Sequence, residues 1–372
     1  MKKASSNTSS RRDFIKKTSL AGIGLSTALV SSYGQTQVGN VKEGNGNLNK
    51  ASKALLSMFN LKYPFFQAAP GGEELAVALA NAGGMGAIGL GWLSPDDAYN
   101  TIIRMNITTK GNYYGNYVLH FGTNSLEKSL EAGCKVIRFS WGIPKQDDIR
   151  KIKNANAKFG IQVTSKFNTL KALELNPDFL ICQGLEAGGH VQATSYLKDV
   201  LPEVIKVAGE IPVLVAGGIS TGHDIRNAIN SGAAGTVMGS RFIATKESDI
   251  HSQYKQRLVE SEEDSTVYTN CFNNNGGWHA MHRVLRNTTF LNWENEGCPH
   301  DGNKPGEDDV IANHLDYGEI KRYSTMPPLR GHTGDLDGMA IYAEQGVLKI
   351  KDVPSAGKLI KRLWKEFENK QD

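Results

Sequence analysis

Short apolar runs alternate with amphipathic segments along most of this chain. Eight runs have the length and composition of buried β-strands, at residues 63–69, 85–91, 113–120, 135–142, 160–165, 178–184, 211–218 and 235–240. Apolar residues recur at helical spacing in the segments that follow them, at residues 73–82, from 94 onward, 125–132, 146–158, 169–175, 196–208, 222–231 and 247–259. Eight successive strand–helix units predict an α/β fold, a closed TIM (β/α)8 barrel over residues 61–260.

An open, doubly wound sheet is the alternative architecture. Dinucleotide-binding sheets of that kind open a helix with Gly-x-Gly-x-x-Gly after the first strand. Here Gly-Gly-Met-Gly-Ala at 83–87 precedes a strand and lacks the full spacing. The pattern therefore favours the closed barrel.

The sixth apolar run leads into a loop that reads Gly-Leu-Glu-Ala-Gly-Gly-His and ends at His190. The paired glycines Gly188 and Gly189 allow the backbone to approach a ligand closely. In a barrel this loop lies at the carboxyl end of strand six, where barrel enzymes hold their catalytic groups. We therefore interpret His190 as a candidate base; the alternative is a glycine turn followed by a surface histidine.

Glycines also end the last two predicted strands, which read Val-Ala-Gly-Gly-Ile at 215–219 and Met-Gly-Ser-Arg-Phe at 238–242. The loops after strands seven and eight of a barrel often bind phosphate, because glycine lets backbone N–H groups face the anion. The pattern predicts a phosphate site at Gly217, Gly218, Gly239 and Ser240, whose hydroxyl is a further donor. The alternative is that these glycines only form tight turns.

The basic excess of the chain is confined to its beginning. The sequence has 42 Lys and Arg against 38 Asp and Glu, a net charge of +4, whereas residues 1–34 alone carry +5. The remainder is nearly neutral, so no basic body is left to attract nucleic acid. The sequence predicts no nucleic-acid partner.

Residues 1–34 are similar to a twin-arginine export signal. Arg11 and Arg12 are followed by Phe14 and by a weakly apolar stretch of small residues, which is too short to span a bilayer comfortably. The alternative is a disordered basic tail. The similarity predicts a cleaved signal peptide over 1–34, export by the twin-arginine machinery to the periplasm or beyond, and no stable membrane insertion afterwards. A Gly/Asn/Lys-rich linker is predicted over 35–60.

Together, these segments carry a resemblance to a known family. They are Gln-Gly-Leu-Glu-Ala-Gly-Gly-His at 183–190, the two glycine-ended strands, and three weaker matches at 67–70, 81–86 and 343–347. The chain resembles the nitronate monooxygenases, formerly called 2-nitropropane dioxygenases, over roughly residues 61–260 and 338–370. The first segment also occurs in the related flavin-dependent enoyl-acyl-carrier-protein reductases.

The resemblance implies a TIM barrel that binds FMN without a covalent link. Gly217, Gly218, Gly239 and Ser240 would hold the FMN phosphate. The residues implied beside the isoalloxazine ring are Ala69, Pro70, Gln183, Gly188 and Gly189. The candidates near the substrate are Glu186, Tyr342 and Gln345, although Glu186 is equally consistent with a backbone-capping carboxylate and the other two with packing. The chain departs from the family at Gly71, where methionine is usual, and at Gln192, where glycine is frequent.

The implied reaction is the oxidation of alkyl nitronates, such as propionate 3-nitronate, with O2 to a carbonyl compound and nitrite. A neutral nitroalkane must first lose a carbon-bound proton, and the ordinary histidine pKa of ~6.5 suits such a base. For a nitronate, an imidazolium or backbone donors could instead hold the nitro oxygens. The sequence leaves both roles of His190 open.

Residues 261–340 do not repeat the strand–helix pattern, and we predict a cap over the carboxyl end of the barrel. Residues 341–372 are predicted to return to the barrel and to end in an amphipathic helix. The histidines and cysteines of the cap do not match the spacing of a known zinc site, so no metal is predicted. A disulfide between Cys271 and Cys298 stays open for an exported protein.

Three other functions compete with this one. A flavin-dependent enoyl-acyl-carrier-protein reductase or another NAD(P)H–flavin oxidoreductase is the main alternative, which export disfavours because its co-substrates are cytoplasmic. An IMP-dehydrogenase-like barrel needs a nucleophilic cysteine on a loop, whereas Cys182 lies within a predicted strand. The third is a non-catalytic flavin-binding or sugar-binding export protein.

Overall fold

The structure, a computed structural model, describes residues 48–109, 111–273 and 278–369. Eight parallel strands form its central sheet, with the short strand β7 (Gly189–His190) inserted in the loop after the sixth. They are β1 (Phe65–Gln67), β2 (Gly86–Gly89), β3 (Tyr113–Val118), β4 (Val136–Ser140), β5 (Lys158–Val163), β6 (Phe179–Gln183), β8 (Val213–Ala216) and β9 (Gly235–Met238). The spatial order is β1-β9-β8-β6-β5-β4-β3-β2, and a parallel bridge between Phe66 and Met85 joins its two ends. The predicted TIM barrel is confirmed.

Helices cover the outside of this barrel and link its strands. The described α-helices are α1 (Lys50–Phe59), α2 (Gly72–Ala82), α3 (Pro95–Thr108), α4 (Leu126–Glu131), α5 (Gln146–Asn154), α6 (Lys166–Leu173), α7 (Leu197–Ala208), α8 (Gly222–Asn230), α9 (Ser240–Ile243), α10 (Ser252–Val259), α11 (Thr288–Asn295) and α12 (Ala356–Glu368). The predicted helix over 146–158 is too long, because β5 already begins at Lys158. Ser94 caps α3 as its sequence predicts: its hydroxyl accepts the Asp97 N–H at 3.1 Å, and proline follows it.

A helix stands where part of the linker was predicted, and that part of the prediction is wrong. Helix α1 begins after Asn49, whose side-chain oxygen accepts the N–H of Ser52 at 2.8 Å. Leu55 and Phe59 are buried against the barrel residues Phe66 and Phe179. The helix thus fills the amino-terminal end of the barrel, because its apolar positions share one face. The predicted signal peptide and the first part of the linker lie outside the described residues.

The segment after the barrel builds two small antiparallel sheets. In the first, β11 (His282–Leu285) lies between β10 (Thr266–Thr269) and β7 of the barrel loop. In the second, β12 (Val310–His314) lies between β13 (Gly318–Lys321) and β14 (Thr333–Gly334). Because β7 follows barrel strand β6, the first sheet attaches this segment to the carboxyl end of the barrel.

The end of the described chain packs on the outside of the barrel, as the amphipathic pattern predicts. Helix α12 buries Leu359, Ile360, Leu363 and Phe367 in the main apolar core. Arg226 of α8 donates hydrogen bonds to main-chain carbonyls at the carboxyl end of α12. Within the described residues, no helix combines the length and apolarity needed to cross a bilayer.

Candidate active site at the barrel mouth

His190 is held by backbone pairing with the cap. It lies opposite His282 in the β7–β11 pair, and the next N–H, of Val191, donates to the Met281 carbonyl at 2.9 Å. The side-chain amide of Gln183 donates to the His190 carbonyl at 3.4 Å. The cap therefore fixes the position of the histidine that follows β6.

Aromatic rings surround the His190 imidazole. It stacks on Trp278 with 4.1 Å between ring centroids and 19° between planes, and the Tyr342 ring lies 5.4 Å away. Trp141 and Phe121 pack against Trp278 in T-shaped contacts, with 5.0 and 5.2 Å between ring centroids. These side chains come from loops after β3, β4 and β6, from the cap and, for Tyr342, from the segment that returns to the barrel. They form an aromatic cluster over the barrel mouth, suited to excluding water around a planar ring.

Trp141 adopts a backbone conformation that non-glycine residues rarely use. Its φ is 64°, at the carboxyl end of β4. The N–H of Trp141 donates to the Gln192 side-chain oxygen at 3.0 Å, and this oxygen also accepts from Gln162 at 3.2 Å. Such conformations cost free energy and are often found at functional sites. The family departure at Gln192 therefore has a structural role, which is to hold the loop that carries Trp141.

Polar side chains form a layer beneath the mouth. It consists of buried residues from β1, β3, β4, β5 and β6, which are Gln67, Asn116, Arg138, Gln162 and Gln183. We call these five residues the polar floor. The Gln183 side-chain oxygen accepts the N–H of Gln192 at 2.7 Å and a Gln162 N–H at 3.2 Å. This predicted site residue thus joins the floor to the His190 loop.

The predicted glycines fall into two groups. A Cβ at Gly189 would meet nothing within 4 Å, and one at Gly218 or Gly239 would meet only side-chain atoms, the nearest at 3.4 and 3.6 Å. By contrast, a Cβ at Gly188 would lie 2.5 Å from the backbone of Ala343, and one at Gly217 would lie 2.9 Å from the Ala187 nitrogen. The first group leaves room for a ligand beside the backbone. The second group allows two chain segments to cross closely.

A carboxylate that the sequence did not single out lies beside the predicted phosphate loops. The Glu344 N–H donates to the Ser240 hydroxyl oxygen at 3.0 Å, and the Ser220 hydroxyl donates to the Glu344 carboxylate at 2.5 Å. Burial raises the pKa of Glu344 to about 7, while hydrogen bonds from Ser220 and the Ile219 N–H oppose the shift. Ser240 is therefore already tied to the returning chain. The only sequence signal was an acidic residue in the family segment 343–347.

The remaining candidates lie in different surroundings. Both Glu186 carboxylate oxygens accept the N–H of Leu197 at 3.1 Å, at the start of α7, as in the capping alternative. Gln345 is exposed and its N–H donates to the Glu186 carbonyl at 2.9 Å. Tyr342 joins the aromatic cluster, and its hydroxyl donates to the Thr325 carbonyl at 2.8 Å. Ala69 is half-buried and Pro70 exposed at the end of β1.

The cysteines do not form a catalytic or metal-binding arrangement in the part of the chain that the structure describes. Cys271 is buried, Cys298 is exposed, and both are free thiols. Burial raises the pKa of the Cys182 thiol in β6 to about 12, so it is a poor nucleophile. Among the described residues, no group of three or more His, Cys, Asp or Glu side chains could hold a metal ion.

The buried carboxyl of Glu344 predicts a pH-dependent stability. The pKa of Glu344 is about 7 in the folded protein, against an ordinary value of 4.5. The protonated carboxyl therefore contributes its full stabilisation below pH 4.5, and this stabilisation is lost as the pH rises through about 7. The free energy of unfolding of Glu344→Gln should therefore be higher than that of the wild type, by a margin that grows from pH 5 to pH 8 and reaches about 3 kcal/mol. Urea unfolding at both pH values measures this difference. Parallel pH profiles of the two proteins would contradict the assignment.

Comparisons with known proteins agree with this fold. The family model described as nitronate monooxygenase matches residues 111–366. A probable nitronate monooxygenase of Staphylococcus saprophyticus is 29% identical over 270 residues, covering 59% of this chain and 76% of that protein. Among solved structures, nitroalkane oxidase from Streptomyces ansochromogenes has a TM-score of 0.68 at 24% identity and covers 84% of this chain and 97% of its own. A FabK variant from Thermotoga maritima has a TM-score of 0.65 at 25% identity, with coverage of 84% and 95%.

Proposed function

The chain belongs to the nitronate monooxygenase family and is a flavin-dependent oxidoreductase, and we propose that it uses FMN to oxidise alkyl nitronates with O2 to a carbonyl compound and nitrite. The observation that carries this proposal is the position of His190. Its imidazole lies in the aromatic cluster, and it directly follows Gly189, whose missing side chain leaves open space. The flavin ring and the nitronate anion would thus meet beside the His190 imidazole.

The residues present fit a bound FMN. Gly218 and Gly239 leave space beside the backbone after the last two barrel strands. The structure contains no hydrogen bond from either of these N–H groups to another described residue, so both groups would be free to donate to phosphate. Gly189 and Gln183 would adjoin the ring. When bound, FMN supplies the electron acceptor for nitronate oxidation.

The chain's own groups would position the substrate and move its proton. We propose that His190 removes the carbon-bound proton of a neutral nitroalkane, and that its protonated ring then lies beside the resulting anion. The rings of Trp278 and Tyr342 restrict water around this anion, which strengthens its attraction to the imidazolium. A substrate that is already ionised needs only the second of these roles.

Two measurements test the proposal. The purified protein, reconstituted with FMN, should show a bound-flavin absorption spectrum and should consume O2 and release nitrite on addition of propionate 3-nitronate. A second candidate, reduction by NAD(P)H as in the flavin-dependent enoyl-acyl-carrier-protein reductases, is favoured by the likeness to FabK. Faster bleaching of the flavin by NADH than oxygen uptake with the nitronate would favour that candidate instead. A protein that stays colourless with added FMN would contradict both.

We propose further that the protein is exported by the twin-arginine pathway. The support is the Arg11-Arg12 pair with Phe14, in a stretch that lies outside the described residues. Replacing both arginines by lysine should leave the protein in the cytoplasm, because the paired guanidinium groups are the address that the machinery reads. Cell fractionation with detection of the protein measures this. Unchanged export of the Lys-Lys variant would contradict the pathway.

A further inference from the structure

Arg138 is a buried cation in the polar floor. It lies on β4, and its side chain is 8% exposed. One guanidinium nitrogen donates to the Asn116 side-chain oxygen at 2.7 Å, and another donates to the Gln162 side-chain oxygen. Gln162 in turn donates to Gln183 and Gln192, the two residues that hold the His190 and Trp141 loops. The charge of Arg138 therefore lies directly beneath the mouth.

This charge lacks an anionic partner in the described protein. Both of its hydrogen-bond acceptors are neutral amides, and its Nε is buried without a hydrogen bond to any described residue. Burial lowers the pKa of Arg138, and the sole opposing influence among the described groups is the Tyr114 phenol. Burial raises the pKa of Tyr114 itself to about 12, so this phenol is neutral near pH 7.

A buried guanidinium stays charged, and leaving it without a counter-charge costs stability. Another buried arginine, Arg241, has such a charge nearby: it lies 3.5 Å from an oxygen of Asp352. At the mouth the surrounding floor offers only amide dipoles. The arrangement fits a ligand that brings negative charge to the top of the floor.

We propose that Arg138 stabilises negative charge on the flavin ring bound at the mouth, and so favours transfer of electrons onto that ring. The inference rests on the proposed function, because it needs a flavin. It assigns a charge-compensating role to a residue on β4 that none of the glycine or histidine motifs includes. Arg138 acts here through its charge, and Asn116 and Gln162 fix its direction.

Sulfite binding to the FMN-loaded protein tests this role without turnover. Sulfite uses its lone pair to form a sulfur–nitrogen bond to the oxidised ring, and the displaced electron pair leaves a negative charge on the ring. The dissociation constant is measured from the loss of flavin absorbance. Arg138→Met should raise this constant by about tenfold or more, because a unit charge near the ring is lost. Arg138→Lys, which keeps the charge, should stay within about threefold of the wild type.

A second variant covers the case in which Arg138→Met does not fold. Gln162→Glu keeps the size and the hydrogen-bond acceptor but places a carboxylate against the guanidinium, so it should weaken sulfite binding in the same direction. Unchanged sulfite affinity in a folded, FMN-loaded Arg138→Met or Gln162→Glu protein would overturn the inference. Nitrate is a planar anion like the nitro group. If these variants bind nitrate more weakly but sulfite as well as the wild type does, the inference is also overturned, and Arg138 would act on the substrate instead of the flavin. Failure of the wild type to bind FMN would instead contradict the proposed function.

Discussion

The Gly239→Asp protein is expected to purify without flavin and to bind added FMN at least ~100-fold more weakly than the wild type. Gly239 has a φ of −102°, outside the left-handed region, so a side chain is compatible with its backbone. A Cβ there would meet only the Ala68 methyl, at 3.6 Å. The new carboxylate would face the proposed phosphate, and two like charges near 4–5 Å repel by about 3–4 kcal/mol at the effective dielectric of a protein surface.

The neutral variant Gly239→Asn is the matched control for this charge effect. It has nearly the same size as aspartate, so it should keep most of the affinity. Quenching of FMN fluorescence on binding gives both dissociation constants. Equal affinities of the Asp and Asn proteins would show that no phosphate lies at Gly239. Gly217 is a poorer place for this test, because its φ of 126° and the Ala187 backbone at 2.9 Å would strain any side chain, whatever its charge.

The barrel was predictable because its strands are buried on both faces. All eight predicted runs overlap an observed strand, since continuous apolar residues carry the signal of parallel strands. The ends of the strands were less well defined, as at the first predicted run, 63–69, where only Phe65–Gln67 form the strand. The sequence does not predict helix α1, because the Gly- and Asn-rich stretch before it extends the linker prediction over its apolar stripe.

The site was predictable only where its residues are adjacent in sequence. The loop from Gln183 to His190 is one continuous motif, so its place in the mouth followed from the barrel alone. Trp278 had no such signal, because the cap meets the loop through the pairing of β7 with β11, almost a hundred residues apart. Arg138 was equally hidden, since a charged residue in a mostly apolar run reveals neither its direction nor its partners.

Glu344 shows the same limit in another way. The family resemblance indicates the segment around it, but it makes the neighbouring residues Tyr342 and Gln345 the candidates. The structure buries the Glu344 carboxyl between the ends of β8 and β9 and leaves Gln345 exposed. Which side of a returning segment faces a barrel depends on its long-range contacts. A short sequence motif does not contain that information.

His190→Ala is expected to keep its flavin and to lose most of its activity on neutral nitroalkanes. The imidazole contacts Trp278 and Tyr342, whereas the glycines proposed to hold the phosphate lie after β8 and β9. Removing a general base typically lowers the rate ~10²–10⁴-fold. The value of kcat/KM for nitroethane should therefore fall by about that factor, while FMN affinity changes little.

Comparing the two ionisation states of the substrate separates the two roles of His190. Ethyl nitronate has already lost its proton, so a histidine that acts only as base should be dispensable for it, and the two rates should diverge in His190→Ala. A loss of equal size for both substrates would mean that the imidazole holds the anion.

Tyr342→Phe is the packing control, because it keeps the ring beside His190 and removes only the hydroxyl that donates to Thr325. Added imidazole should restore part of the nitroethane activity of His190→Ala if a missing base is the cause, since a damaged fold would not respond to it. Undiminished nitroethane turnover in His190→Ala would refute the proposed base, whatever flavin content the variant has.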